Sequence, residues 1–330
     1  MSTVSDSQPN PPTPSKIRYN LQEFLDGTGG TVLYFIAILL CLIGAWEGAK
    51  FIGQETDYQF ELGPIKINLS MTRDLNMPHL KDIAEALSKP SQRQGPPLIE
   101  ILVKKATYTL RLAIIGFAIG TTIGLALAIL FAHSRLLERG LMPYVVASQT
   151  VPILALAPMV IIWSEKLFGS REIGMPMITA YLAFFPVTIY TLRGLSDVPP
   201  TALELMKSYA ATRREILWKL RFPNAVPYIF TALKITAPAS VVGTIIAELP
   251  TGIQDGLGGA IINFAQYYIS GPARLWATNF VTAMAGILFF VTVAFTEWLV
   301  IRWKRPSNRL DRWIDTFFKY LRHISPISND

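Results

Sequence analysis

Charge is what this chain has least of. Only 16% of its 330 residues are charged, against about a quarter in an ordinary soluble domain, and 51% are hydrophobic. Too few charges remain to cover a water-facing surface, so the deficit points to lipid. Cysteine is almost missing too. Cys41 stands alone in an apolar run, which excludes a disulfide framework and a thiolate metal site and leaves it the reading of a small packing residue. The three histidines, His79, His133 and His323, are too scattered for a metal cluster. The sequence contains no G-x-x-x-x-G-K-[ST] segment, the loop whose backbone cradles phosphates, and no Ser/His/Asp grouping that suggests hydrolysis. No catalytic residue, no metal and no cofactor bound by this chain are therefore expected.

What the chain does have is long apolar runs. A helix crossing the hydrocarbon core needs about 20 mainly apolar residues, and six stretches meet that need: 31–49, 107–131, 144–163, 176–192, 229–248 and 278–301. The predicted fold class is all-α, a polytopic helical bundle in a membrane. Pro186 and Pro238 fall inside the fourth and fifth runs, where neighbouring groups can satisfy the carbonyls that proline frees.

The formal charge of +7 reads as an orientation signal rather than as an affinity for nucleic acid. Lys16 and Arg18, Arg135 and Arg139, the run Arg193, Lys207, Arg213, Arg214, Lys219 and Arg221, and Arg302, Lys304, Arg305, Arg309 and Arg312 all fall on one side of a six-span chain. Basic short loops stay in the cytoplasm, which puts both termini there. The opposite short loops carry only Lys166 with Arg171 and Arg274. The long segment 50–106 is basic in places, but long loops translocate largely regardless of charge.

Several pieces outside the spans have a reading of their own. The opening MSTVSDSQPNPPTPS is polar, rich in proline and without a basic n-region, unlike a signal peptide. A disordered cytoplasmic tail is expected there, within residues 1–30. Leu80, Ile83, Ala84 and Leu87 form one apolar face behind Pro78, which predicts an interfacial helix. The stretch 256–270, with glycines at its start and Phe264, Tyr267 and Tyr268 at its end, is expected in or just outside the outer leaflet. Trp313, Ile314, Phe317, Phe318 and Leu321 alternate with Arg312, Lys319 and Arg322, a basic amphipathic tail over 304–330 suited to a membrane surface.

The segment between the fourth and fifth spans carries more pattern than a connection needs. Leu203, Met206, Ala210, Ile216 and Leu220 recur as apolar anchors among polar residues, which predicts short amphipathic helices on the cytoplasmic face. A water-exposed helix with apolar anchors calls for a protein partner. Residues 204–227 resemble the EAA loop of binding-protein-dependent ABC importer permeases, E-A-A-x-x-x-G followed about a dozen residues on by an apolar residue and proline. Glu204 stands at the acidic position and Pro223 at the proline; Leu205 and Met206 replace the alanines, and Ala210 replaces the glycine.

The resemblance continues elsewhere over roughly 76–303. Thr150-Val151-Pro152-Ile153-Leu154-Ala155-Leu156-Ala157-Pro158 is similar to the A-I-P-P-L-A-L-I-P signature of the group importing nitrate, sulfonates, taurine, bicarbonate and thiamine-precursor pyrimidines. Phe184-Phe185-Pro186 with Thr191, Leu192 and Gly194, and Glu248 with Gly256-Leu257-Gly258, match the fourth and fifth spans of that group.

This resemblance implies a type I ABC importer transmembrane fold in a bacterial inner membrane. It implies a second permease subunit, giving a homodimer, an extracytoplasmic solute-binding protein, and separate ATPase subunits holding ATP and Mg. The loop 201–224 would then be the coupling segment, with Glu204, Leu205, Met206, Ser208, Tyr209, Ala210, Ala211, Thr212, Arg213 and Pro223 in contact with the ATPase. The solute would be a small organic or anionic nutrient, and Ala247-Glu248-Leu249-Pro250-Thr251-Gly252 leans towards the pyrimidine subset. The competing class is a secondary transporter or channel that needs no ATPase; such proteins often carry inverted repeats, and no convincing internal repeat is present.

Individual residues divide between packing and pathway. Gly116, Gly120 and Gly124 recur every fourth residue, the small-residue pattern that lets helices approach closely. Gln149 and Thr150, with Thr236, Ser240 and Thr244 one turn apart in the fifth span, line a polar stripe that is either part of a solute path or a set of interhelical hydrogen bonds. Glu248 near the end of the same span either lines a gate or holds irregular backbone through its N–H groups. Lys234 and Glu297 could be pathway charges, but snorkelling or pairing near the interface is the preferred reading.

Overall fold

The computed structural model describes residues 28–62, 65–90 and 95–301. The expected tails, 1–27 of the first and all of 304–330, lie outside the described residues. Two compact units divide the chain, residues 1–73 with 304–330 and residues 74–303.

In the first unit, α1 (Thr28–Glu55) covers the first apolar run and overshoots it at both ends. Its 28 residues rise about 42 Å at 1.5 Å per residue, more than a bilayer core requires. Cys41 is exposed on it rather than packed. A hairpin follows, with β1 (Gln59–Leu62) antiparallel to β2 (Ile65–Asn68) and Leu62 opposite Ile65. This hairpin is an addition to the expected all-helical chain. Its strands do alternate, Phe60 and Leu62 with Ile65 and Ile67 among polar residues across Gly63-Pro64, but four residues each is too short a run to stand out beside the apolar spans.

The second unit contains α2 (Leu80–Ser88), α3 (Leu98–His133), α4 (Arg135–Ser148), α5 (Ile153–Phe168), α6 (Gly174–Ser196), α7 (Pro200–Ser208), α8 (Phe222–Glu248), α9 (Leu257–Gln266) and α10 (Pro272–Val300). Five helices of the chain are long and apolar enough to cross a membrane, and six if the bent pair α4 and α5 counts as one span. The most apolar window is 56% buried in α6 and in the helix ending in α8, but 28% in α3 and 17% in α10. The first two therefore form the centre, and the other two leave much of their surface uncovered by the rest of the chain.

Small residues set the spacing around that centre. A methyl group at Gly116 would lie 2.7 Å from the Pro176 carbonyl oxygen, one at Gly120 would lie 2.5 Å from that of Ala180, and one at Gly124 would lie 2.7 Å from that of Phe184. The three glycines thus let α3 lie directly on the backbone of α6, as their spacing predicted. Gly194 does the same for α6 and α8, where an added methyl would stand 2.9 Å from Ala225 Cα. One apolar cluster joins α3, α8, α9 and α10 through Leu102, Val241, Leu257 and Phe289. Another joins α3, α6 and α8 through Phe131, Leu195 and Ile229.

The third span departs from the sequence expectation. A single helix over 144–163 was predicted; instead α4 and α5 meet at a bend of 97°, with Gln149 and Thr150 in the break. Pro152 causes it. The residue before a proline is steered away from the helical region, and Pro152 supplies no N–H to the Ser148 carbonyl, four residues back. The Tyr181 hydroxyl of α6 donates to that carbonyl instead. Together α4 and α5 still return the chain across the bundle. Arg221, just ahead of α8, donates to Ala132 near the end of α3, while Tyr108 near the start of α3 donates to Glu172 just before α6.

A helix is present as α2 where an interfacial one was expected, and it does not lie free. Ile83, Ala86 and Leu87 pack against the cluster that includes α10.

Candidate functional site

The segment between α6 and α8 marks one end of the bundle, called the loop end here, and the loop is built from three local devices. Pro200 opens α7 at its first turn, where a missing N–H costs nothing. At the other end of α7 the Ala210 N–H bonds to the Lys207 carbonyl at 2.9 Å and the Ala211 N–H to that of Met206 at 3.0 Å. That pair of bonds is a Schellman stop, which places one residue in the left-handed region. The residue is Ala210, at φ +53°. This conformation gives a physical reason for glycine at that place in the resembling loops, since a Cβ there costs about 1 to 2 kcal/mol.

Thr212 then starts the next helical stretch. Its hydroxyl accepts from the Glu215 N–H at 3.3 Å, and its own N–H donates to Glu215 Oε2 at 2.9 Å, a reciprocal capping box. Widened π-type turns over Ile216–Arg221 lead directly into α8. Pro223 lacks an N–H and crowds the carbonyl four residues back, which accounts for the loosened winding before it. The expected short helices are thus one separate helix, α7, and one helical lead that is continuous with the fifth span.

On α7, Leu203 and Met206 are half-buried, while Glu204, Leu205, Ser208 and Tyr209 are exposed on one face. Leu205 is 58% and Tyr209 79% exposed. Two large apolar-bodied side chains thus stand in the open on a nine-residue helix. Of the residues assigned to coupling, Met206 turns inward, and Ala211 and Pro223 are half-buried.

The root of the loop is pinned by Asn224, Tyr228 and Asp197, which the sequence did not mark, together with Arg221 and the Gly194 carbonyl. Asn224 Nδ2 donates to the carbonyls of Gly194 at 3.1 Å and Asp197 at 2.7 Å, which closes the end of α6 onto the start of α8. The Tyr228 hydroxyl donates to the Asp197 carboxylate. Arg221 reaches the Ala132 carbonyl at 3.4 Å, tying in α3 as well. The position of Asn224 just after Pro223 was the only local signal for this clamp. Higher on the same helix, Lys234 and Glu297 form an ion pair at 2.7 Å, the pairing that was preferred for them.

At the opposite end the residues around Glu248 are sealed. Glu248 is 1% exposed. Thr109 donates to its Oε1 at 2.7 Å and the Gly258 N–H to its Oε2 at 2.6 Å, while the Leu257 N–H donates to Thr109 Oγ1 at 2.9 Å. One carboxylate therefore holds α3, the end of α8 and the first turn of α9 together. A methyl group at Gly256 would fall 2.3 Å from that carboxylate, so the glycine is required by close approach. Of the two readings left open for Glu248, the geometry contains the contacts of the backbone-holding one. Nearby, Arg171 pairs with Glu165 at 2.8 Å and donates to the Thr251 carbonyl at 3.2 Å. Hydrogen bonding to that carboxylate raises the guanidinium further above its ordinary value.

Thr236, Ser240 and Thr244 are fully buried. Thr244 shares a hydrogen bond of 2.8 Å with Thr179 of α6, and the Ser240 hydroxyl has no partner among the described residues. The stripe therefore lies in the seam between α6 and α8, apart from Gln149 and Thr150, which are exposed at the helix break. Of the two readings left open for these residues, a solute path or interhelical hydrogen bonds, Thr244 makes a contact of the second kind. Among the described residues, no group of three His, Cys, Asp or Glu side chains could hold a metal ion.

A family model described as "Binding-protein-dependent transport system inner membrane component" matches residues 120–305. The chain belongs to this family. It is a permease subunit of the ABC importer class, a multi-pass protein of the inner membrane. The permease is 32% identical over 199 residues to the formylaminopyrimidine transport permease protein ThiX of Halalkalibacterium halodurans, covering 60% of this chain and 77% of that one. It is 29% identical over 192 residues to the putative aliphatic sulfonates transport permease protein SsuC of Bacillus subtilis, covering 58% and 67%. Among solved structures, a chain of the inward-facing MetNI methionine ABC transporter aligns with a TM-score of 0.53 at 21% identity, covering 64% of this permease and all of that chain. That likeness concerns the fold.

Proposed function

We propose that this permease forms half of a homodimeric pathway for a small organic or anionic nutrient and takes its driving force from ATPase subunits docked on α7. The carrying observation is the exposed face of α7. Leu205 and Tyr209 stand open on a short helix whose stop and restart are both hydrogen-bonded and whose root is clamped to α3, α6 and α8. A partner that fills this face moves three spans at once, because the clamps leave the loop little freedom to absorb the displacement. The two-state element would be the inward-open and outward-open arrangements of the bundle, biased by nucleotide in the partner.

In this reading the loop end is cytoplasmic, both termini lie on that side, and an extracytoplasmic binding protein delivers solute to the end sealed by Glu248. The name of the formylaminopyrimidine relative supports a solute of the pyrimidine type, and the sulfonate relative keeps small oxyanions as the competing class. Binding of a panel of pyrimidines, sulfonates and nitrate to the partner binding protein separates the two.

Docking is tested by co-purification of the permease with its ATPase subunits. Leu205→Arg introduces a charge at the centre of the exposed face and is expected to lower recovery of the ATPase at least tenfold while leaving the permease's own melting temperature unchanged. Undiminished recovery would count against α7 as the docking element.

A further inference from the structure

The end opposite α7 contains a cleft that the transport reading leaves unused. Its volume is about 590 Å³, and Lys105, Asn263, Phe264, Tyr267, Ser270 and Arg274 are among its lining residues. They come from four places: α3, α9, the turn after α9 and the start of α10. Two cations face this space. Lys105 donates to the Gln254 carbonyl, which fixes its direction and leaves further N–H groups on the ammonium. Arg274 folds back over the turn, so that a methyl group at Gly271 would touch its Cδ at 3.4 Å. Among the described residues, the Arg274 guanidinium makes no hydrogen bond or ion pair.

The nearby carboxylates do not fill the cleft. Glu248 is committed to Thr109 and Gly258. Asp255 attracts Lys105 through space but is not part of the lining. Asn263 and Tyr267 add an amide and a hydroxyl, the Ser270 hydroxyl being committed to the Tyr267 carbonyl at 2.9 Å, while Ile101, Ala260 and Phe264 give one apolar wall. Arginine and lysine converging beside neutral donors suit a tetrahedral oxyanion. Aromatic residues such as Tyr267, Tyr268 and Trp276 are the type that gathers where a bundle meets lipid headgroups.

We propose that this cleft is an oxyanion site that takes a phosphate group, supplied either by a phospholipid headgroup or by a soluble phosphate. The apolar wall would receive the glycerol and upper acyl region of a lipid, and the two cations, the Asn263 amide and the Tyr267 hydroxyl would hold the phosphate. The site does not involve α7 or the docking of the ATPase.

The test is thermal unfolding of the full-length permease in an uncharged detergent, titrated with short-chain phosphatidylglycerol in one arm and inorganic phosphate in the other. A ligand at free concentration L that binds only the folded state stabilises it by RT ln(1 + L/Kd), so the melting temperature rises with the logarithm of ligand concentration once that exceeds Kd. At least one probe is expected to raise it with this dependence, and Arg274→Gln, which removes no hydrogen bond present among the described residues, is expected to raise at least tenfold the concentration needed for the same shift. Lys105→Gln is expected to weaken it further, from a lower starting temperature because its bond to Gln254 is lost. A response to the lipid alone assigns the phosphate to a headgroup, and a response to inorganic phosphate assigns it to solution. No response from either probe, or the same response in Arg274→Gln as in the natural chain, overturns the proposal.

Discussion

At the end sealed by Glu248, the polar groups Thr109, Glu248 and Arg171 each find a partner on another segment. At the loop end the root is equally well tied, but the tip is open: Leu205 and Tyr209 face outward, Ala210 holds a left-handed backbone and the winding before Pro223 is loosened. The contrast separates a hydrogen-bond network finished within the subunit, that of Glu248, from a helix face completed by something else. Hydrogen bonds buried across helices resist rearrangement, because breaking one leaves a desolvated group unpaired at about 1 to 3 kcal/mol. An exposed apolar helix on a clamped root has the opposite property. It can gain a partner without losing any internal contact.

The largest expected effect is on the rigid framework that both ends share. Gly120→Leu would drive a side chain into the Ala180 carbonyl, already 2.5 Å from an added methyl, and into Ala183. Overpacking of this kind costs about 3 kcal/mol, and the variant is expected to melt far below the natural chain or to fail to accumulate in the membrane. A normal melting curve would mean that α3 and α6 are not pressed together.

Next comes the sealed end. Glu248→Ala removes the acceptor of both Thr109 and Gly258 and is expected to destabilise by about 2 kcal/mol. Adding Thr109→Val should cost less than it does alone, since residues in one network do not act additively. Strict additivity in calorimetry would separate the two residues and weaken the comparison. The smallest effect is at the loop tip, where Ala210→Gly relieves the left-handed strain and is expected to stabilise by about 1 kcal/mol. A loss of stability there would show that the Ala210 methyl makes a contact worth more than its strain.

Much of this arrangement could be read from the chain, and the parts that could not share a physical cause. The spans announced themselves through length and hydropathy, the glycines at 116, 120 and 124 through their spacing, and the loop through amphipathic pattern and its resemblance to known coupling segments. The break at Gln149 and Thr150 did not, because the apolar run continues across it and hydropathy does not register direction, although Pro152 was in plain view. Thr109 gave no local sign of its role, since its partner Glu248 is 139 residues away. The stripe Thr236, Ser240 and Thr244 was found correctly as one face of a helix, but sequence periodicity does not say whether a face meets a solute path or another helix, and here it meets α6.

The claim that α7 is an inward-facing docking helix is tested most directly by cysteine accessibility, which this chain makes simple because Cys41 is its only cysteine. In a Cys41→Ser background, Tyr209→Cys is treated with a membrane-impermeant maleimide in intact cells and in inverted membrane vesicles. Labelling is expected only in the inverted vesicles, and it should fall when the ATPase subunits are bound. Labelling of intact cells would put α7 on the outer face and contradict the account.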